Sequence, residues 1–183
     1  MVHPWHDLPS RPDSQEDLVN VVIEIPKGSK VKYELDKPSG MLRVDRVLHS
    51  SVHYPANYGF IPRSYADDGD PLDVLVLSSE PVAPMSIVIG RPIGLLRMED
   101  GGKLDDKVVA VHADDPAFTD YRDIFELPKH LALEMGRFLK DYKKNENKTV
   151  SVDDPIGGEH ALRVIGEAIE LYRREENKLR GWS

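Results

Sequence analysis

Between Asp67 and Asp73 the chain places four carboxylates in seven residues, Asp67-Asp68-Gly69-Asp70-Pro71-Leu72-Asp73, and then runs directly into Val74-Leu75-Val76-Leu77. Gly and Pro mark a turn. The apolar run after it reads as a strand buried on both faces. A cluster of negative charge is thus pinned at the mouth of a rigid strand. The carboxylates repel one another unless cations neutralise them. Mg²⁺ suits such a place, because it binds carboxylate oxygens and completes its shell with water and substrate phosphate. A solvated acidic turn uses the same residue types, so the loop alone leaves both readings open. It does exclude an EF-hand. Counted from Asp68, loop positions 5 and 6 are Leu72 and Asp73, where a calcium loop needs an oxygen ligand and a glycine.

The 183 residues suit one domain with a sizeable core. Their net charge of −8 argues against general attraction to nucleic acid or to an anionic membrane. There is no cysteine, which removes disulfide, zinc-thiolate and cysteine-nucleophile chemistry. The first twenty residues contain no apolar core of a secretory signal, and no apolar run approaches a membrane span. A cytoplasmic protein is the expectation. Motifs of other hydrolases and nucleotide binders are missing: there is no G-x-S-x-G elbow and no P-loop. The histidines are scattered.

Residues 1–19 read as an extended N-terminal arm, polar and Pro-rich, with Trp5 as its one large apolar group and a means of docking. Residues 20–183 read as a single domain. Asn20–Pro26 has strand composition, interrupted by Glu24. From Lys30 to Asp36 charged and apolar residues alternate, with Lys32 and Glu34 on one face and Val31, Tyr33 and Leu35 on the other. That period of two marks a half-buried strand, and on spacing alone its charged face is solvated. Met41–Val47 alternates again, with Arg46 out of phase with Arg43 and Asp45. Residues 52–63 are irregular and aromatic. Ser86–Met98 reads as one long strand in which Pro92 implies a bulge or an edge. A Gly-containing hairpin connection then carries a second acidic cluster, Asp100, Asp105 and Asp106, beside Lys107, and Val108–Val111 returns. Pro128 opens a helix whose face is Leu131, Met135, Phe138, Leu139 and Tyr142, with Lys140, Lys143, Lys144 and Lys148 at its end. A second helix spans about Glu159–Asn177. Many short strands followed by two helices make an α+β domain with a small barrel or curled sheet.

These residues resemble the soluble family I inorganic pyrophosphatases. Asp68-Gly69-Asp70-Pro71-Leu72-Asp73-Val74 fits that family's D-x-D-P-x-D-V signature. Lys32-Tyr33-Glu34, Val44-Asp45-Arg46, Tyr54-Pro55-Ala56-Asn57-Tyr58-Gly59, Asp100 with Asp105 and Lys107, and Tyr142-Lys143 follow in the family's order. The wording around Lys27–Lys37 and Asp141–Lys148 is most similar to plant-type members. The match covers roughly residues 20–150, and several independent motifs are stronger than any one.

The resemblance implies a five-stranded OB-type β-barrel with additional strands and two flanking C-terminal helices. It implies hydrolysis of inorganic pyrophosphate to two orthophosphates with several Mg²⁺ ions and a metal-activated water. Asp68, Asp73, Asp100 and Asp105 would hold metal, Glu34 would support a metal through water, and Asp70 would be the base, with Tyr58 orienting the water or Asp70. Lys32, Arg46, Lys107, Tyr142 and Lys143 would bind phosphate, with Glu24 contributing indirectly or through water and Tyr54 packing nearby. A homo-oligomer, with a hexamer favoured, and no nucleic-acid or membrane partner complete the expectation. An OB barrel also suits nucleic-acid binding, so fold does not decide function. The competing readings are a phosphohydrolase for another phosphoanhydride and an OB-type nucleic-acid module. The latter needs a basic groove with stacking aromatics.

Overall fold

The computed structural model describes residues 2–13, 15–143 and 150–182, with the side chain of Asp100 outside the described set. Lys144 and Lys148 therefore lie outside it. In chain order the strands are β1 (Val19–Ile25), β2 (Val31–Asp36), β3 (Met41–Val47), β4 (Asn57–Phe60), β5 (Asp73–Leu77), β6 (Ile87–Leu96), β7 (Met98–Asp100), β8 (Lys103–Leu104), β9 (Lys107–His112), β10 (Val150–Val152) and β11 (Ile156–Gly157). The helices are α1 (Lys129–Asp141) and α2 (Gly158–Leu179).

Five strands close on one another in the order β1-β4-β5-β9-β6, with β6 pairing back to β1. The β5–β9 contact is parallel and the other four are antiparallel. This is the expected five-stranded barrel, and β11 extends it beside β6. The apolar runs explain why it closes. Alternate residues of the central strands serve two cores. Val74, Val76, Val108 and Ala110 pack with Ala161, Ile165 and Ile169 of α2. Leu75, Leu77, Val109 and Val111 pack with Met135, Phe138 and Leu139 of α1. A strand covered on both faces needs a continuous apolar sequence, and Val74–Leu77 has one. The closest approach is between β1 and β4, where a Cβ on Gly59 would lie 1.9 Å from the Val22 carbonyl oxygen. Only glycine fits there.

The bulge that Pro92 implies is present: the β6–β9 register shifts between Pro92 and Gly94. The expected Ser86–Met98 strand is shorter, however. It ends at Leu96, and Met98–Asp100 turns into a separate three-stranded sheet with β8 and β10. Arg97 pins the break by forking onto Asp106 through two hydrogen bonds of 3.1 Å. The β2–β3 hairpin forms a two-stranded sheet of its own. Ahead of β1, His3–Asp7 folds into a turn closed by Asp7 N–H donating to His3 O at 2.8 Å. Trp5 is buried on the chain's own body, its Nε1 donating to Ser64 O at 2.8 Å and its ring beside Tyr172 of α2.

Candidate active site

The acidic turn is closed by its own backbone. Gly69 N donates to Ala66 O at 3.0 Å, Ala66 N to Asp70 O at 2.9 Å, and Asp70 N to Asp68 Oδ1 at 3.0 Å. Gly69 has φ +93°, a conformation glycine adopts without steric cost. Asp67 is exposed at the start of the turn. At its other end Asp73 opens β5 and stands opposite Lys107 in the parallel β5–β9 register. The Lys107 ammonium pairs with Asp73 Oδ2 and Asp105 Oδ1, and the residue is 3% exposed. Burial pushes this ammonium down, but the two carboxylates outweigh burial and hold it well above the ordinary lysine value.

Two backbone irregularities aim further side chains at the same place. The β1–β4 register shifts between Ile23 and Ile25, so Glu24 is the extra residue of a bulge. A bulge re-aims a side chain out of strict alternation. Glu24 thereby reaches the β2 hairpin, where Oε1 accepts from Leu35 N at 2.7 Å. Burial, and then the charges of Asp73 and Glu34, push its carboxyl up to about 8 against the Leu35 hydrogen bond. The β2–β3 register slips between Lys32 and Tyr33, which leaves Lys32 opposite Arg46 with Asp45 as the extra residue. This slip reconciles Arg46 with the alternation it breaks in the sequence. Lys32 pairs with Glu34 and, at 3.3 Å, with Asp45, which also pairs with Arg46. Burial alone would raise the Asp45 carboxyl, yet Lys32 and Arg46 bring it below its ordinary value.

An aromatic wall completes the site. Phe138 of α1 lies between Tyr54, at 4.7 Å, and Tyr142, at 5.2 Å. Tyr54 meets Tyr58 edge-on at 5.5 Å. Tyr142 caps the C-terminal end of α1, where Lys143 Nζ lies 5.1 Å over its ring. Burial, then Asp73 for Tyr58 and Tyr142 for Tyr54, raises both hydroxyls well above the ordinary tyrosine value. Both remain protonated donors at neutral pH.

All of these side chains line one cavity of about 700 Å³: Glu24, Lys32, Glu34, Arg46, Tyr54, Tyr58, Asp68, Asp70, Asp73, Asp105, Lys107, Tyr142 and Lys143. Asp100 has its backbone in β7, opposite Lys103, and its side chain lies outside the described set. Asp106 does not line the cavity. It serves Arg97 instead. The charged face of β2 thus lines the cavity, with Lys32 half-buried and Glu34 exposed. Asp45, Lys37, Arg43 and Lys103 also line the cavity, although the motifs give them no role. Asp45 was legible as a neighbour of Arg46. Lys37 has no sequence signal, because its partners are distant in the chain.

Eight carboxylates and seven basic side chains share this lining. That mixture differs from the uniformly basic groove a nucleic-acid module needs. It offers ligands both for cations and for a small, highly charged anion. The inorganic pyrophosphatase family model matches residues 21–173. The chain belongs to the inorganic pyrophosphatase family. Its reaction is the hydrolysis of inorganic pyrophosphate to orthophosphate. The soluble inorganic pyrophosphatase 2 of Chlamydomonas reinhardtii is 54% identical over 171 residues, covering 93% of this chain and 88% of its own. The soluble inorganic pyrophosphatase of Zea mays is 55% identical over 170 residues, covering 93% and 79%. Among solved structures, the Thermus thermophilus inorganic pyrophosphatase superposes with a TM-score of 0.88 at 38% identity, over 94% of this chain and 99% of that one. The Helicobacter pylori inorganic pyrophosphatase superposes with a TM-score of 0.84 at 44% identity, over 87% and 95%. The resemblance to plant-type members is borne out by these plant and algal relatives. None of the described helices is long and apolar enough to cross a membrane.

Proposed function

We propose that this cavity binds pyrophosphate together with several Mg²⁺ ions and that Asp70 is the general base of its hydrolysis. The observation that carries this reading is the Asp73–Lys107–Asp105 bridge set among the other carboxylates of the cavity. Among the described residues no three acidic or histidine side chains converge as a ready-made metal cage. Mg²⁺ does not require one, since it takes one or two carboxylates and fills its shell with water and substrate phosphate. The donor set fits it: every anionic donor is a carboxylate oxygen. Asp68 shows the mutual repulsion a cation would relieve, because burial and then the charges of Asp73, Asp105 and Asp70 raise its carboxyl despite the Asp70 N–H. Asp68, Asp73, Asp105, Asp100 and Glu34 would hold the ions. When bound, they neutralise phosphoryl oxygens and acidify a coordinated water.

The remaining roles belong to the chain. The Asp70 carboxylate lies between two proposed ligands in sequence and takes the proton of the attacking water. The Tyr58 hydroxyl orients that water or Asp70. Lys32, Arg46, Lys107, Tyr142 and Lys143 receive the phosphates, Arg46 through its planar fork and the lysines as point charges. Glu24 steadies the β2 strand through Leu35, and Tyr54 steadies Tyr58. Phosphate release from pyrophosphate, tripolyphosphate and ATP tests the substrate: Mg²⁺-dependent preference for pyrophosphate, abolished by EDTA, is expected. Preference for a longer phosphate would overturn the choice, and activity indifferent to EDTA would overturn the metal. A gel shift at physiological salt is expected to show no nucleic-acid complex. We also propose a cytoplasmic homo-oligomer, a hexamer favoured. Met41, Val44 and Val47 on β3 and Leu133 on α1 are exposed apolar side chains that such an assembly would cover. Sedimentation velocity is expected to give a species six times the 20.7 kDa chain.

A further inference from the structure

Lys37 ties three separate segments together. Its ammonium pairs with the Asp70 carboxylate and donates to Gly69 O at 2.9 Å, so it grips the acidic turn by side chain and backbone. The same ammonium lies 5.7 Å above the Trp5 ring. Its own carbonyl contacts His3 Nε2 at 2.7 Å. The N-terminal turn also presses on the hairpin tip. A Cβ on Gly40 would lie 3.0 Å from Pro4 Cδ and 3.1 Å from His3 Cδ2. That turn is in turn bolted to the segment leading into the acidic turn, through Trp5 Nε1 to Ser64 O at 2.8 Å and Arg63 N to Trp5 O at 2.8 Å. Trp5 therefore stands between the β2–β3 hairpin, which carries Lys32, Glu34 and Arg46, and the turn that carries Asp68 and Asp70.

We propose that Lys37, seated on Trp5, is a positioning residue that holds Asp70 in its catalytic place, which makes the N-terminal turn a brace across the two limbs of the active site. The proposal rests on the assignment of Asp70 as the base. Solvent exposure separates this role from a stabilising one. The side chains of Lys37 and Asp70 are 44% and 51% exposed, and ion pairs this open contribute little to folding. A base displaced by a fraction of an ångström, by contrast, costs turnover.

Steady-state kinetics of the full chain at saturating Mg²⁺ test it. Lys37→Met is expected to lower kcat by roughly ten- to a hundredfold, with KM for pyrophosphate and the melting temperature almost unchanged. Lys37→Arg restores most of the turnover, and Trp5→Leu gives the same kcat signature. In an Asp70→Asn background Lys37→Met has no further effect, because residues acting through one another are not additive. A raised KM with intact kcat would make Lys37 a substrate contact and overturn the proposal. So would unchanged kinetics, or the same loss in the Asp70→Asn background. If Asp70→Asn itself turns over like the parent, the base assignment fails first and the proposal falls with it. Should Trp5→Leu not fold, the Lys37 variants decide the question alone.

Discussion

Asp68, Asp70 and Asp73 share one turn, yet their partners differ. Asp68 accepts the turn's own N–H, Asp70 reaches out to Lys37, and Asp73 is bound to Lys107. Chemistry that needs both a ligand and a base can be divided among them. Asp70→Asn is expected to keep the shape of the turn and to remove the proposed proton acceptor. Its kcat is expected to fall by about 10²- to 10⁴-fold, with Mg²⁺ affinity close to the parent; isothermal titration and phosphate-release kinetics would measure both. Glu24 offers a test through pH. Its carboxyl is raised in the folded chain to about 8 from 4.5. The folded state therefore binds the proton more tightly, and Glu24's contribution to stability is full below about 4.5 and is lost as pH rises through about 8. Glu24→Gln, melted in chelator across that window, is expected to show a flatter pH dependence and a higher melting temperature at the alkaline end.

At the scale of elements, bulges do the aiming. A regular β1 would send Glu24 into the alternation of an otherwise apolar strand, and a regular β2–β3 ladder would separate Arg46 from Lys32. One extra residue in each case brings a charged side chain to the cavity. Helix α1 contributes through packing. Phe138 is 4% exposed and is held between two site tyrosines. Phe138→Ala is expected to cost about 3–5 kcal/mol by urea denaturation. It is also expected to raise KM for pyrophosphate several-fold, because Tyr142 and Lys143 lose their support.

For the whole molecule, the barrel brings together segments as distant as Glu24 and Lys143 and fills one cavity with opposite charges. Carboxylates that repel one another should make the free chain respond strongly to cations. Binding to the folded state alone stabilises by RT ln(1 + [L]/Kd), about 2.7 kcal/mol at a hundredfold excess over Kd. Differential scanning calorimetry is expected to show a melting temperature that climbs with Mg²⁺ and falls back with EDTA. Asp73→Ala should respond much less. A parent chain whose melting temperature ignores Mg²⁺ would remove the metal reading.

Local chemistry was enough to place most of this in advance. The apolar run Val74–Leu77, the alternation of Lys30–Asp36 and the helical stripe at Met135, Phe138 and Leu139 each follow from periodicity. The same physics that makes them periodic buries them. The acidic turn and its motif partners pointed to the family and to the cavity's side chains. Three things were decided only by the tertiary structure. The break at Arg97 depends on the Asp106 fork. The turn of Glu24 and Arg46 into the cavity depends on register slips that alternation does not record. The grip of Lys37 on Asp70, with Trp5 beneath it, joins residues more than thirty positions apart. The acidic turn by itself was equally a solvated loop. It became part of a site because barrel closure buried Lys107 against Asp73 and Asp105, and a buried charge must pair with an opposite charge or an ion.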